Sequence, residues 1–245
     1  MTAALYYVEP GALDGLGDGD FVVIDGDEGH HAARVKRARV GEELLVADTV
    51  RLLAHCCVES VDGARVALRV CGVESASRPG PRFVLAQALA KGGRDEQAIE
   101  TATELGVDEV IAWQADRSIV RWSGKEAKAL AKWTGVVRAA GKQSRRATLP
   151  SVSGPLSSAA LADRAGGAAL ALVLHEEADR PLTEVALPAS GDVLVAVGPE
   201  GGITPGELDR LAAVGAVPVR LGPEVLRASS AGPAALAVLV SRTRW

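Results

Sequence analysis

Two glycine-proline loops, each following an apolar run and each leading toward a probable helix, constrain this chain more than any other feature. In the first, Val193 to Val197 reads as a buried strand and Gly198-Pro199-Glu200-Gly201-Gly202 as a loop whose glycines let backbone approach a ligand. Thr204, Pro205 and Glu207 then spell a helix start, with a Thr-x-x-Glu capping box and a proline at the first helical position. In the second, Val217 to Leu221 reads as a strand, weakened by Pro218 toward an edge position. Gly222-Pro223 follows as the turn, and Gly232-Pro233 opens an apolar helix running through Val240. Strand ends carrying such loops face a common crevice in α/β sheets, so the stretch predicts a backbone-lined pocket.

A chain of 245 residues with 48% hydrophobic residues can bury a large core, and its rhythm divides it in two. Up to about residue 72 it reads as short strands and turns, which predicts a small β-barrel: Leu5 to Val8, Phe21 to Ile24, Leu44 to Ala47, Leu52 to Val58 and Arg65 to Val70. Asp62-Gly63 is a hairpin signal joining the last two. A helix from His30 to Val40, closed by Gly41 and steadied by an Ala33/Val40 contact, interrupts them. Residues 73–81 read as a linker, and 82–245 as an α/β domain. Its first strand is Phe83 to Leu89, its first helix Asp95 to Leu105, its second strand Val110 to Trp113. A longer helix covers Lys125 to Gln143 with Leu130, Trp133, Val136 and Val137 inward, and Ala168 to Leu174 forms a further strand.

The net charge of −4 argues against a uniformly cationic nucleic-acid binder, yet between Arg117 and Arg146 nine basic residues stand against one acid, Glu126. That excess admits an RNA surface or a solvated face. Arg34, Lys36, Arg37 and Arg39 admit the same two readings, and Lys91-Gly92-Gly93-Arg94 is either a phosphate loop or a flexible connection. The three cysteines, Cys56, Cys57 and Cys71, lack CxxC spacing and an export signal, so they read as reduced thiols with no structural metal. His30-His31 and His175-Glu176-Glu177 have no partner at metal-like spacing. No apolar run approaches membrane-spanning length, which predicts a soluble, cytoplasmic protein. No GxGxxG, GxxxxGK[ST] or GxSxG pattern occurs, which weakens dehydrogenase, NTPase and hydrolase readings.

These residues carry a resemblance. Gly198 to Gly202, then Leu221-Gly222-Pro223-Glu224-Val225-Leu226-Arg227 and Ala231, resembles the C-terminal signature of RsmE-type ribosomal RNA methyltransferases of the SPOUT superfamily. Thr101 to Val107, Lys91 to Arg94, Arg117-Ser118 and Gln143-Ser144 with Arg146 resemble further segments of that family in order. His30 through Arg37 with Val40-Gly41-Glu42 resembles its PUA-like domain. Departures stand at Ala228-Ser229-Ser230, where Thr-Glu-Thr is usual, at Ala139 in place of a glutamate, and at Gly93.

The resemblance implies an S-adenosylmethionine-dependent homodimer that methylates N3 of one uridine in 16S rRNA of the small ribosomal subunit, without metal or membrane. It also implies a deep trefoil knot in the α/β domain. Its cofactor site would use Leu174, His175, Glu176, Gly198, Pro199, Glu200, Gly201, Gly202, Leu221, Gly222, Val225 and Leu226. Arg94 and Arg227 are the catalytic candidates, with no general base assigned. RNA contacts would fall to Arg34, Lys36, Arg37, Lys91, Arg117, Arg121, Gln143, Arg145 and Arg146. A SPOUT enzyme acting on a ribose 2′-hydroxyl or on another RNA, and a noncatalytic assembly factor, are the alternatives.

Overall fold

The computed structural model describes residues 3–245, and its contacts divide them into two compact units: residues 3–78 with Gly141–Leu149, and Pro79–Ala140 with Pro150–Trp245. In the first unit β1 (Ala4–Tyr7), β2 (Phe21–Ile24), β3 (Glu43–Ala47), β4 (Leu52–Asp62) and β5 (Arg65–Ser75) form one sheet in the order β1-β3-β4-β5-β2. Strict alternation sorts the strands. Val66, Leu68 and Val70 point inward with Leu44, Val46, Ala54, Cys56 and Val58 around Tyr6, Leu13 and Ile24. The Asp62-Gly63 signal is realised as the β4–β5 turn, with Gly63 at φ +60° and Asp62 paired to Arg65. Segment 141–149 adds its own ties to this unit: Tyr7 Oη donates to the Arg146 carbonyl at 2.8 Å, and Leu149 N donates to Thr49 O.

Three expectations fail here. The helix expected from His30 to Val40 is instead α1 (Gly26–His30) running into a π-type turn over His31–Val35. Arg37, at φ +56°, ends any helical continuation, and Val40 is 70% exposed and so cannot steady a helix against Ala33. Gly29 fixes the helix closer to the start: a Cβ there would sit 2.0 Å from the Ala64 carbonyl oxygen. The segment expected to link the domains from residue 73 is strand as far as Ser75, because Leu52, Leu53 and Ala54 pair with Ser75, Glu74 and Val73.

The second unit is a six-stranded parallel sheet in the order β11-β9-β10-β6-β7-β8. Its elements in sequence are β6 (Arg82–Ala88), α2 (Arg94–Leu105), β7 (Glu109–Gln114), α3 (Glu126–Gln143), β8 (Ser151–Ser157), α4 (Ser158–Gly166) and β9 (Leu170–Leu174). They continue with β10 (Asp192–Val197), α5 (Pro205–Ala213), β11 (Val217–Val219) and α6 (Ala228–Ser241). α2 and α6 pack together on one face, and α4 and α5 on the other. The central strands are apolar along most of their length, Gln87 of β6 being a buried exception, because both faces are covered. Gly106, at φ +104°, closes α2 as a left-handed C-cap. Trp133 and Val137 of α3 are buried, while Leu130 and Val136 are only half-buried.

No apolar run marks Ser151 to Ser157, yet it forms β8, and α4 follows it directly. β11 ends at Val219, two residues short of Leu221, and lies at the sheet edge that Pro218 tolerates. α6 starts at Ala228 and carries Pro233 inside it, so the helix expected from Gly232 begins a full turn earlier. Gly232 permits close packing, since a Cβ there would meet Leu85 Cδ1 at 2.9 Å and Val197 Cγ2 at 3.4 Å. The α/β class is as expected.

Ion pairs brace the edge of the sheet where the strands start. At the strand starts Arg164 joins Asp192 and Glu109, and Arg82 reaches Asp192 at 2.9 Å. Near the chain end Arg244 donates to Asp108 Oδ2 at 2.6 Å and to the Pro81 and Gly106 carbonyls, and its guanidinium lies 4.8 Å from the centre of the Phe83 ring.

Candidate active site

Because all six strands run parallel, the loops after β6, β7, β9, β10 and β11 leave one edge of the sheet. The chain steps outward from β6 to β7 and β8, then returns to the other side and places β10 between β9 and β6. Ligands of open α/β sheets bind where the winding direction changes in this way. A cleft of about 760 Å³ lies there, and loops from β6, β7, β9, β10 and β11 all reach it. A smaller adjoining hollow continues beneath Leu221 and Gly222.

Every residue expected to hold a cofactor lines one of the two: Leu174, His175 and Glu176 after β9, Gly198 to Gly202 after β10, and Leu221, Gly222, Val225 and Leu226 after β11. The loop after β10 folds as its letters suggest. Gly202 takes φ +74°, and Thr204 accepts from Glu207 N while the Glu207 carboxylate accepts from Thr204 N, which completes the capping box. Ile203 is buried beneath the loop, and a Cβ on Gly198 would sit 2.6 Å from its Cγ1. On the other side a Cβ on Gly201 would meet Arg117 Cβ at 3.1 Å. The glycines thus keep a cradle open that side chains would fill.

Two charged contacts hold this loop. Glu200 accepts from Arg94 Nη1 at 3.1 Å and from Lys91 N at 3.3 Å, which ties it to the Lys91–Arg94 loop. Burial works to raise the Glu200 carboxyl, but the backbone donors and Arg94 outweigh it and hold it below the usual glutamate value. Arg117 Nη1 donates to the Gly201 carbonyl at 3.0 Å. Arg94 and Arg227, the two catalytic candidates, both line the cleft, and Arg227 occupies the N-cap position of α6.

The expected RNA-contacting residues separate. Arg117 belongs to the cleft wall, a position its place just beyond β7 could have signalled. Arg34, Lys36, Arg37, Lys91, Arg121, Gln143 and Arg145 are exposed. Arg146 is not: it is 4% exposed and its Nε donates to the Thr148 carbonyl at 3.1 Å, so it holds its own segment in place and does not face solvent. Arg121 spends one donor on the Asp116 carbonyl. Among the described residues no group of three or more His, Cys, Asp or Glu side chains is arranged to hold a metal ion, and no helix is long and apolar enough to cross a membrane.

A parallel α/β unit with a glycine-cradled crevice at its switch point, in one chain with a small β unit, defines a class, and comparison with known families names it. Residues 78–240 match the RNA methyltransferase domain family, and residues 24–71 match the RNA methyltransferase PUA domain. Ribosomal RNA small subunit methyltransferase E of Mycobacterium tuberculosis is 47% identical over 253 residues, covering 100% of this chain and 94% of its own length. The Bacillus subtilis protein of the same name is 31% identical, with 90% of each chain covered. A Legionella pneumophila protein solved with the bound cofactor SAM superposes with a TM-score of 0.84 at 28% identity, covering 99% of this chain and 98% of its own. The chain belongs to the ribosomal RNA small subunit methyltransferase E family.

Proposed function

We propose that this protein transfers a methyl group from S-adenosylmethionine to N3 of a uridine in 16S rRNA of the small ribosomal subunit. The observation that carries the reading is the cleft itself. Its volume of about 760 Å³ falls in the range of small-molecule sites, and the loops that form it present backbone and glycine where a nucleoside must lie close. Gly198 to Gly202, Leu221, Gly222, Val225, Leu226, Leu174 and His175 would hold the adenosine and methionine portions. Glu176, Glu177 and Glu224 add carboxylates suited to a sulfonium and an ammonium.

When bound, S-adenosylmethionine supplies an electrophilic methyl carbon. The chain's own work is positioning and charge. Donor carbon and acceptor nitrogen must be brought into line, which gives catalysis by orientation. Uracil N3 must give its proton up to solvent on methylation, and the negative charge that spreads to the flanking oxygens is met by the Arg94 and Arg227 guanidiniums at the cleft. Arg94 is already oriented by Glu200.

The remaining parts of the reading follow from family membership. The PUA unit adds RNA affinity through Arg34, Lys36 and Arg37, and Lys91, Arg121, Gln143 and Arg145 contribute further contacts. The α/β domain is threaded as a trefoil knot, the active form is a homodimer, and the protein works in the cytoplasm beside the ribosome. Binding to RNA should therefore weaken steeply with salt. The reading is tested by calorimetric titration with S-adenosylmethionine and by transfer of labelled methyl to small subunits that lack the modification. Micromolar uptake and transfer are expected; a protein that binds RNA but takes up no S-adenosylmethionine is an assembly factor, and the proposal fails.

A further inference from the structure

Glu207 lies outside the cleft lining, yet it joins three segments of the α/β unit. Its side chain is 1% exposed and its two carboxylate oxygens accept four hydrogen bonds. One oxygen takes Asp116 N at 2.8 Å and the Ser158 hydroxyl at 2.5 Å; the other takes Thr204 N and Thr204 Oγ1, both at 2.9 Å. Ser158 in turn accepts from Trp113 Nε1 at 3.1 Å, so the cluster is anchored to a fully buried indole. A capping box needs only the Thr204 half of this arrangement.

The extra half reaches the active site by short paths on both sides. Asp116 is followed directly by Arg117, whose guanidinium holds the Gly201 carbonyl and whose Cβ sets the distance to Gly201. Thr204 stands two residues beyond Gly202. One buried carboxylate therefore fixes where the loop after β7 and the loop after β10 meet. We propose that Glu207 is a positioning residue for the cofactor cradle, acting through Asp116 and Arg117 on Gly201 and through Thr204 on the end of the glycine loop. This inference rests on the cofactor reading above.

Glutamine in its place tests the idea, because its volume is the same and its acceptors are fewer. Whichever way the amide lies, its nitrogen faces a backbone N–H, of Asp116 or of Thr204, and neither can rotate away as a hydroxyl can. Cofactor affinity is measured by calorimetry for the full chain as wild type, Glu207→Gln, Arg117→Ala and the double variant. Each single change should weaken S-adenosylmethionine binding about tenfold, and the double variant should be no more than about twofold weaker than either, as expected for residues on one path. Independent, multiplied losses overturn the proposal, as does a Glu207→Gln protein that melts earlier but binds with unchanged affinity.

Ser158→Ala, which keeps the carboxylate and removes one donor, should give an intermediate loss of about threefold. It serves as the deciding variant should Glu207→Gln not fold, and unchanged affinity there overturns the proposal. Hydrogen exchange separates this inference from the cofactor reading. In the ligand-free variants amides of residues 115–118 and 200–204 should exchange faster while those of α2 and α6 do not. Wild-type protein that takes up no S-adenosylmethionine defeats the cofactor reading alone; unaltered exchange in the two loops defeats the positioning role alone.

Discussion

Replacing Gly198 by alanine isolates what the cradle owes to close packing. The new Cβ would lie 2.6 Å from Ile203 Cγ1 and 3.3 Å from its Cδ1, about 0.8 Å inside ordinary contact. Ile203 is 7% exposed and sits in the cluster formed by Leu194, Ala196, Leu211 and Ala216, so it cannot swing into solvent. Overpacking of this kind costs about 1–3 kcal/mol, which for a domain of this size lowers Tm by about 2–12 °C. Because Ile203 is flanked by Gly202 and Thr204, its displacement carries the loop with it, and S-adenosylmethionine affinity should fall by about tenfold or more. Gly201→Ala is the control: its Cβ meets only exposed Arg117, so stability should change by less than about 0.5 kcal/mol while cofactor binding still weakens. Thermal unfolding and calorimetry on the two variants measure both quantities. A Gly198→Ala protein with unchanged Tm and unchanged affinity would refute the packing argument.

Further outcomes follow from other contacts. Arg244→Ala removes the buried partner of Asp108 and the cation over Phe83, and should cost about 3 kcal/mol in denaturant unfolding; a loss below about 1 kcal/mol would show the clasp to be dispensable. Glu200→Gln should release Arg94 and slow methyl transfer more than it weakens cofactor binding, read as a fall in kcat at saturating S-adenosylmethionine. Glu200 and Glu207 are both held below their ordinary value of 4.5, so their contribution to stability is present above that pH and is lost as pH falls through their lower folded values. Urea unfolding from pH 6 downward should show that loss, and Glu207→Gln should flatten it.

Much of this architecture is legible in the letters because local chemistry and burial agree. Thr204, Pro205 and Glu207 announce a helix start that forms as written, and Val193 to Val197 is apolar without alternation because both faces of β10 are covered. Asp62-Gly63 places a turn for the same reason. The reading fails where long-range contacts decide. The sequence His30 to Val40 has helical letters, but Gly29 is wedged against the Ala64 and Ile24 carbonyls and the backbone turns at Arg37. β8 forms from Ser151 to Ser157 because Glu109 to Gln114 offers a parallel edge, and no apolar period marks it. Arg146 looks like its basic neighbours and is nonetheless buried.

The site shows the same division. The glycine loops could be found from composition and order, and they converge because parallel strands end on one edge. The Glu200–Arg94 pair and the bonds of Glu207 to Asp116 and Ser158 join residues 106, 91 and 49 positions apart, with no local signal that they meet. Arg117 reads in the sequence as one of a basic stretch and as part of the family-like Arg117-Ser118 segment, and its hydrogen bond to the Gly201 carbonyl comes from the fold.

The most direct test is the identity of the methylated nucleoside. Small subunits from cells lacking the gene are incubated with purified protein and S-adenosylmethionine, and 16S rRNA is digested and analysed by mass spectrometry against authentic standards. One new N3-methyluridine per subunit, absent without protein and abolished when Gly198 or Gly201 is replaced by valine, is the expected result. A ribose 2′-O-methyl product, or no methyl product from protein that binds the subunit, would contradict it.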